Sequence, residues 1–325
     1  MRGKRAMTTV SVISPFYNEK HGLRLFVEKV AHIFAGMDYD LTIIMVDDGS
    51  KDNSWSSLKE IVPENFKLLG IRLAKNFGKE AAIAAGLSLA DSDVVITIDC
   101  DLQHPPELME SMLKLWEEGA EIVLAVKQER QKESFFNRLA AKFFYKIFHW
   151  ITENDIGGSC DFILLDRKVV TALNALPEKL FFYRGVVQWL GFKQKSLSFI
   201  PADRQNGKSS YSFWKKIRLA VDSLTGFSAK PLIVIWLLTF LFIIFATVIG
   251  GEALISKIMG KSVGGFSTLI LVVLITGVAI LSCFCILSAY VRQIFYEVKN
   301  RPRYLVSDQI GVKAEYGRKK RKIEE

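Results

Sequence analysis

The sequence contains two carboxylates that lie one residue apart at the end of a β-branched run. Asp99 and Asp101 close the stretch VVITIDCD, which begins at Val94 and is typical of a buried strand. Side chains two residues apart in an extended chain point to the same side, and like charges held that close repel. Either a cation sits between the two carboxylates, or the chain bends and gives them different tasks.

Two more polar clusters follow predicted strands. SPFYNEK begins at Ser14, and VDDGSKDNS begins at Val46. Taken alone, the first is also typical of an ordinary turn and the second of a helix N-cap. Together with Asp99 and Asp101 they predict a negative crevice. Carboxylates in such a place suit Mg²⁺ or Mn²⁺, with the phosphates of a substrate completing the ligand shell.

The segments that carry these clusters alternate between strand and helix patterns over residues 8–125. The predicted strands are TTVSVISPF, YDLTIIMVDDGS, FKLLGIRLA, DVVITIDCD and AEIVLAVK. The segments between them have helical spacing, with apolar residues recurring on one face. Strands separated by such helices predict an α/β fold with a parallel sheet, helices on both faces and a ligand site at the carboxyl ends of the strands.

Two long apolar runs occupy the C-terminal third of the chain, from Leu232 to Ile249 and from Thr268 to Val291. Each reaches the roughly 18–20 residues that cross a bilayer core. Buried core helices are the alternative, although soluble core helices are seldom so long and so free of polar residues. The start of the chain has basic residues but only a short apolar stretch, so no signal peptide is predicted.

The net charge of +9 is concentrated beside these runs. Basic residues precede the first run and follow the second, ending in RKKRK from Arg318 to Lys322. The positive-inside rule therefore places both flanks in the cytoplasm and the connecting loop outside. Anionic lipid headgroups are the expected partner of this charge, and nucleic acid is not expected. The four cysteines form neither a zinc pattern nor a disulfide framework, which suits a reducing cytosol.

Aromatic and basic residues alternate with helical spacing in two further segments. Residues 134–152 are typical either of a core helix or of an amphipathic helix in the headgroup layer, and residues 211–230 have the same character. The predicted organisation is a cytoplasmic catalytic domain, a juxtamembrane amphipathic helix, a pair of transmembrane helices and a basic cytoplasmic tail. Their ranges are 1–210, 211–230, 231–292 and 293–325.

The set SPFYNE, VDDGS, NFGKEAAIAAGL, DCDLQHPPE and RQNGKSSY resembles glycosyltransferase family 2, over nearly the whole chain. Within that family it is most similar to the polyprenyl-phosphate glycosyltransferases, which include bactoprenol glucosyltransferases and dolichol-phosphate mannose synthases. The resemblance implies a GT-A (Rossmann-like), mostly parallel sheet and two C-terminal transmembrane helices. It also implies Mg²⁺ or Mn²⁺ as the cofactor, and it suggests assembly as a homotetramer.

The activity implied by the resemblance is inverting transfer of a sugar from a UDP-sugar to undecaprenyl phosphate in a bacterial cytoplasmic membrane. UDP-glucose is the default donor, with UDP-GlcNAc, UDP-GalNAc, UDP-galactose and GDP-mannose as alternatives. A processive polysaccharide synthase is a rival interpretation, but QxxRW is missing from the sequence. A catalytically dead membrane scaffold is another, but the acidic set is intact.

The resemblance also assigns roles to individual residues. Asp161 matches the proposed catalytic base, and Asp101, with Asp99, matches the metal-binding DxD motif. The residues implied to bind the nucleotide sugar are Pro15, Tyr17, Glu19, Asp48, Lys75, Asp99 and Gln103. The residues implied to bind phosphate or the lipid acceptor are Arg204, Lys208, Arg138 and Arg184.

One departure from the family pattern concerns the segment CDFIL that begins at Cys160. Relatives often carry Arg where this chain has Ile163. If that Arg touches the acceptor phosphate or orients Asp161, another cation must do so here. The candidates are Arg138, Arg167, Lys168 and Arg184.

Overall fold

A computed structural model of the protein describes residues 7–127, 159–177, 182–200, 231–260 and 265–312. The chain divides into two compact units. One contains a β-sheet with its helices, and the other contains two long apolar helices. The predicted amphipathic segments 134–152 and 211–230 lie outside the described residues.

The first unit is built on a mixed sheet. Its strands are β1 (Thr8–Phe16), β2 (Tyr39–Asp47), β3 (Lys67–Leu73), β4 (Val94–Thr97), β5 (Ile122–Lys127), β6 (Ser159–Asp166), β7 (Gln194–Phe199) and β8 (Val306–Ile310). The strand order is β7-β5-β6-β4-β1-β2-β3-β8. Strands β1 to β4 run parallel, as the alternating sequence pattern predicts, and β7 is parallel to β5. By contrast, β6 is antiparallel to both of its neighbours, and β8 is antiparallel to β3.

Helices cover both faces of the sheet. They are α1 (Leu23–Phe34), α2 (Ser54–Lys59), α3 (Lys79–Leu89), α4 (Leu108–Glu117), α5 (Arg167–Ala175) and α6 (Tyr183–Trp189). One buried cluster joins Val12 of β1 to Phe26 of α1 and Met109 of α4. On the other face, Gly86 of α3 lies against Ile13 and Val46. Because successive strand residues point to opposite faces and both faces are covered, the central strands β1, β2 and β4 are buried at most positions.

The second unit consists of α7 (Pro231–Ile258) and α8 (Phe266–Val298), with 28 and 33 residues. Their most apolar windows, Ile235–Glu252 and Ile275–Val298, have mean hydropathies of 2.1 and 1.8, and 0% of either window is buried. Both helices are therefore long and apolar enough to cross a membrane. Their exposure disagrees with the alternative of buried core helices.

Strand β8 comes from the segment that the sequence assigns to a basic tail. It follows α8 after a short connection and pairs with β3, with Gly70 opposite Ile310. The Asp308 carboxylate accepts hydrogen bonds from Trp55 Nε1 at 2.9 Å and from Lys59 Nζ at 2.7 Å. The tail thus contributes the strand that covers the edge of β3, which would otherwise expose unpaired backbone groups.

The contact between α3 and β1 depends on a glycine. A Cβ at Gly86 would lie 2.4 Å from Ile13 Cγ2, and β-branched side chains have little rotamer freedom with which to move away. We expect Gly86→Ala to destabilise the sheet unit by about 1–3 kcal/mol, measured as a melting temperature several degrees lower. Gly36→Ala is the matched control because no atom lies within 4 Å of its added methyl group. Equal melting temperatures for the two variants would contradict this packing argument.

The two hydrogen bonds to Asp308 predict how β8 is held on the sheet. Replacing Asp308 with Ala removes the shared acceptor, so the strand should open more often. Hydrogen exchange of the β8 amides should become faster by roughly tenfold, the equivalent of about 1.4 kcal/mol. Asp40→Ala, which breaks only the exposed pair with Lys67, should leave β8 exchange unchanged. If β8 exchanges at the wild-type rate in Asp308→Ala, the carboxylate does not hold the strand.

Candidate active site

The strand register brings the predicted site segments to one edge of the sheet. Phe16 pairs with Asp47 at the ends of β1 and β2, and Ile13 pairs with Thr97 at the end of β4. Strand β6 runs the opposite way, with Ile163 opposite Thr97, so its beginning lies at this same edge. Four neighbouring strands therefore deliver the polar residues, three by their carboxyl ends and one by its start.

The turn after β2 is held together by its two carboxylates. Asp47 is fully buried and accepts the backbone N–H of Ser50 at 2.7 Å, while Arg72 Nε lies 3.3 Å from its other oxygen. Asp48 accepts the backbone N–H groups of Phe77 at 2.7 Å and of Gly78 at 3.0 Å. Asp47 thus closes the turn and pairs with β3, whereas Asp48 joins the turn to the loop before α3.

Close contact between that turn and the loop before α3 requires a glycine. Gly49 has a φ of 70°, and a Cβ there would lie 2.4 Å from the carbonyl carbon of Lys75. The Lys75 side chain is exposed, and its Nζ lies 5.1 Å from the centre of the Phe77 ring. Burial raises the pKa of Asp48 to about 6, although the backbone N–H groups of Phe77 and Gly78 oppose this shift.

The loop after β1 forms the neighbouring rim of the crevice. Pro15 is buried in the strand, whereas Tyr17 is 38% exposed. Asn18 has a φ of 56°, and its backbone N–H donates to Ser50 Oγ at 2.9 Å. The backbone N–H of Glu19 donates to Ser54 Oγ at 2.9 Å. Residues from the two loops that sequence patterns single out are therefore hydrogen-bonded to one another.

Asp99 and Asp101 occupy different environments because the chain turns between them. Strand β4 ends at Thr97, and the chain turns at Cys100 and Asp101. Leu102, just after this turn, has a φ of 56°, which is uncommon for a residue other than glycine. Asp101 is exposed, and its Oδ1 accepts the backbone N–H of Gln103 at 3.1 Å. Asp99 is half-buried. Of the two alternatives left open by the sequence, the bend is present, and Asp99 has a cationic partner of its own.

That partner is Lys79, the first residue of α3, which sequence analysis missed. Its ammonium lies 2.6 Å from Asp99 Oδ1 and 2.5 Å from Asp161 Oδ2, and its side chain is 34% exposed. Burial lowers the pKa of Lys79, but the charges of Asp99 and Asp161 outweigh burial and raise it. A signal was available in NFGKEAAIAAGL, because a cation in the first turn of a helix opposes the helix dipole and needs a reason.

Asp161 of β6 is held from several sides. Arg184 Nε of α6 lies 3.1 Å from its Oδ1, while Thr97 Oγ1 donates to its backbone oxygen at 2.7 Å. Burial raises the pKa of Asp161, but the positive charges of Lys79 and Arg184 outweigh burial and lower it. Asp161 is therefore a carboxylate that stays ionised at neutral pH.

The structure separates the cations proposed to replace the Arg missing at Ile163. Arg184 contacts Asp161, as just described. Arg167 pairs with Asp91 at 2.5 Å, and Lys168 pairs with Glu121. Both follow the end of β6, which lies at the opposite edge of the sheet because β6 is antiparallel to β4. Arg138, Arg204 and Lys208 lie outside the described residues.

A further acidic residue and a tyrosine connect this cluster to the neighbouring helices. Glu80 follows Lys79 in α3, and its carboxylate accepts the backbone N–H of Tyr183 at 2.8 Å. Burial, and then the charge of Asp161, raise the pKa of Glu80 to about 7. The Tyr183 hydroxyl pairs with Thr97 Oγ1 at 2.9 Å. Helices α3 and α6 are thereby tied to the strands that carry Asp99 and Asp161.

His104 lies next to Asp99 on the other side. Its ring is buried beside Phe162 and Phe199, and its Nδ1 lies 3.9 Å from Asp99 Oδ2. Burial lowers its pKa, which favours the neutral ring. Among the described residues, neither ring nitrogen makes a hydrogen bond. The same is true of the buried Nε2 of Gln103.

The donor set at the end of β4 fits a divalent cation that shares its ligands with a diphosphate. Within the described ranges no three His, Cys, Asp or Glu side chains converge as a metal cage. Mg²⁺ needs no such cage, since it binds through one or two carboxylates together with substrate phosphates. Exposed Asp101 and half-buried Asp99 offer that minimal set. Whether they do bind a metal stays a prediction.

Comparisons with known proteins point to one family of enzymes. The family model of glycosyl transferase family 2 matches residues 11–173. An uncharacterized glycosyltransferase of Synechocystis is 34% identical over 93% of this chain and 96% of its own length. The SfII prophage-derived bactoprenol glucosyl transferase of Shigella flexneri is 32% identical over 91% of this chain and 97% of its own. A bactoprenol glucosyl transferase of Shigella phage SfV is 31% identical, with 92% and 98% covered.

The solved structures that match the chain are more distant. Mannosyl-3-phosphoglycerate synthase from Rubrobacter xylanophilus matches with a TM-score of 0.45 and 18% identity, over 66% of this chain and 71% of that one. Glucosyl-3-phosphoglycerate synthase from Mycobacterium tuberculosis, crystallised with Mn²⁺ and UDP-glucose, matches with a TM-score of 0.42 and 18% identity, over 66% and 75%.

The predicted family, the GT-A-like fold and the enzyme class are thus confirmed. The family model covers the segments that carry Asp48, Asp99, Asp101 and Asp161, and the curated relatives match the chain over nearly its full length. The chain belongs to glycosyltransferase family 2 and is a glycosyltransferase with a GT-A-like mixed sheet and two apolar C-terminal helices.

Proposed function

We propose that the protein transfers a sugar, by default glucose, from a UDP-sugar to undecaprenyl phosphate. The observation that carries this proposal is a combination within one chain. A polar site at the carboxyl edge of the sheet accompanies two exposed helices of bilayer length. Relatives named bactoprenol glucosyl transferase match the chain over both parts.

On the donor side, the loops after β1, β2 and β4 surround the nucleotide sugar. Pro15, Tyr17 and Glu19 line the base pocket, and Asp48 shapes its wall by fixing the loop before α3. Asp99 contacts the ribose or sugar, and Gln103 and Lys75 complete the set of residues that bind the nucleotide sugar. Asp101, together with Asp99, would hold Mg²⁺ or Mn²⁺, which neutralises charge on the leaving diphosphate.

On the acceptor side, a phosphate oxygen of the lipid attacks the anomeric carbon in line with the departing UDP. The bond from that carbon to the diphosphate oxygen breaks, and UDP leaves with the electron pair. A single displacement inverts the anomeric configuration. Arg184, together with Arg138, Arg204 and Lys208, supplies positive charge for the acceptor phosphate and for UDP.

The apolar helices give the reaction its location. A polyprenyl phosphate keeps its headgroup at the membrane surface, whereas a nucleotide sugar is dissolved in the cytosol. Anchoring by α7 and α8 keeps the enzyme at the boundary where the two substrates meet. Basic residues on both flanks favour a cytoplasmic catalytic domain, with both termini on the same side of the bacterial membrane.

The direct test is a transfer assay with purified protein. Label from UDP-glucose should pass into a solvent-extractable lipid when undecaprenyl phosphate and Mg²⁺ or Mn²⁺ are present, and not when undecaprenol replaces the phosphate. A panel of UDP-GlcNAc, UDP-GalNAc, UDP-galactose and GDP-mannose then identifies the sugar. Absence of lipid-linked label with every donor in the panel would refute the proposed function.

The metal assignment predicts a separate loss. Asp101→Ala should lower transfer by roughly 100-fold or more, because the charge on the leaving diphosphate is no longer neutralised. Added Mn²⁺ should then fail to stimulate the remaining activity. Asp38→Ala, at an exposed position before β2, is the matched control and should behave as wild type. Wild-type turnover and metal response in Asp101→Ala would remove this residue from the metal site.

A further inference from the structure

Lys79 occupies the junction between the two halves of the site. One carboxylate that it contacts, Asp99, belongs to the loop assigned to the donor. The other, Asp161, lies near the start of β6 and matches the catalytic base of the resemblance. The ammonium lies within 2.6 Å of both, and a third of the side chain remains exposed to a ligand. The Lys79 ammonium therefore lies where the donor and the acceptor must come together.

Asp161 is poorly placed to accept a proton. Both of its oxygens face a cation, one at 2.5 Å and the other at 3.1 Å. Opposite charges at such distances stabilise the ionised carboxylate and weaken it as a base. The reaction has little need of a base either, since a phosphate monoester with a second pKa of about 6 is mostly a dianion at neutral pH.

A dianionic acceptor instead needs positive charge close to its reacting oxygen. Asp99, Asp161 and Glu80 would all repel it. The cations that contact Asp161 in the described part of the chain are Lys79 and Arg184. Lys79 comes from the start of α3 and Arg184 from α6, and the carboxylate between them fixes their spacing. A phosphate that binds both can accept charge-assisted hydrogen bonds from the ammonium and from the guanidinium.

We propose that Lys79 and Arg184 form the receptor for the acceptor's phosphate, and that Asp161 is a positioning residue which holds these two cations in place. This inference rests on the proposed function and names its acceptor contacts. No proton is transferred to Asp161 in this scheme. The acceptor's phosphate oxygen forms the bond to the anomeric carbon, and the electron pair of the broken bond leaves with UDP.

The decisive experiment compares the kinetic constants for each substrate in Lys79 variants. In Lys79→Met, kcat/KM for the polyprenyl phosphate should fall by roughly 30- to 100-fold, the effect of losing one charged hydrogen bond. KM for the UDP-sugar should stay within about threefold, since donor contacts remain. Lys79→Arg should recover part of the loss. Lys114→Met, at an exposed position of α4, is the matched control. A change confined to the donor KM would overturn the inference.

Asp161 variants separate positioning from base catalysis. A positioning role predicts that Asp161→Asn raises the acceptor KM, and that Lys79→Met with Asp161→Asn is no worse than Lys79→Met alone. The double variant also carries one carboxylate fewer beside the missing ammonium, so it limits the charge repulsion that would make Lys79→Met fold poorly. If Asp161→Asn instead lowers kcat steeply at an unchanged acceptor KM, Asp161 is the base and the proposal is wrong.

A binding measurement distinguishes failure of this inference from failure of the proposed function. Farnesyl phosphate serves as the probe and farnesol as its uncharged control. Binding of the phosphate that Lys79→Met weakens, without any sugar transfer by the wild type, would support the receptor and refute the function. Sugar transfer to the lipid with the acceptor KM unchanged in Lys79→Met would support the function and refute the receptor.

Discussion

The arrangement of this site depends on one ammonium group placed between two carboxylates. Without Lys79, Asp99 and Asp161 would lie at the same sheet edge as negative charges, next to the buried carboxylate of Glu80. Removing one partner of such a pair leaves an uncompensated charge, which costs far more than the pair itself contributes. The cation therefore decides whether strands β4 and β6 can bring their polar residues together.

Asp161 can lie near Asp99 because β6 runs antiparallel to β4. A parallel strand in this place would put Asp161 at the opposite edge, where Arg167 and Lys168 now lie. Because β6 starts where β4 ends, a residue near its beginning faces the loop that carries Asp99. Tyr183 and Thr97 then tie α6 to the same strands, so Arg184 reaches the second oxygen of Asp161.

Much of the sheet follows from local sequence patterns, and most of the site does not. Strand β1 spans the residues that its apolar pattern predicts, because a strand buried on both faces leaves a continuous signal. Strand β4 ends at Thr97, before the turn at Cys100 and Asp101, so its local pattern does not show where Asp99 and Asp101 point. The pairing of Lys79 with Asp161 joins residues 82 positions apart. Strand β8 depends on an even more distant contact, so neither pairing leaves a local pattern.

Lys79 also shows where local preference and function conflict. The first turn of a helix carries partial positive charge and favours acidic residues. A lysine there is unfavourable on its own, and burial of its ammonium makes it more so. The carboxylates of Asp99 and Asp161 offset both penalties. The two carboxylates in turn need the lysine, because their own negative charges would be unfavourable at this place without it. Such mutual dependence of locally unfavourable groups is expected at functional sites. The cluster of Lys79, Asp99 and Asp161 is therefore better explained by binding of the substrate's phosphate than by a contribution to the stability of the fold.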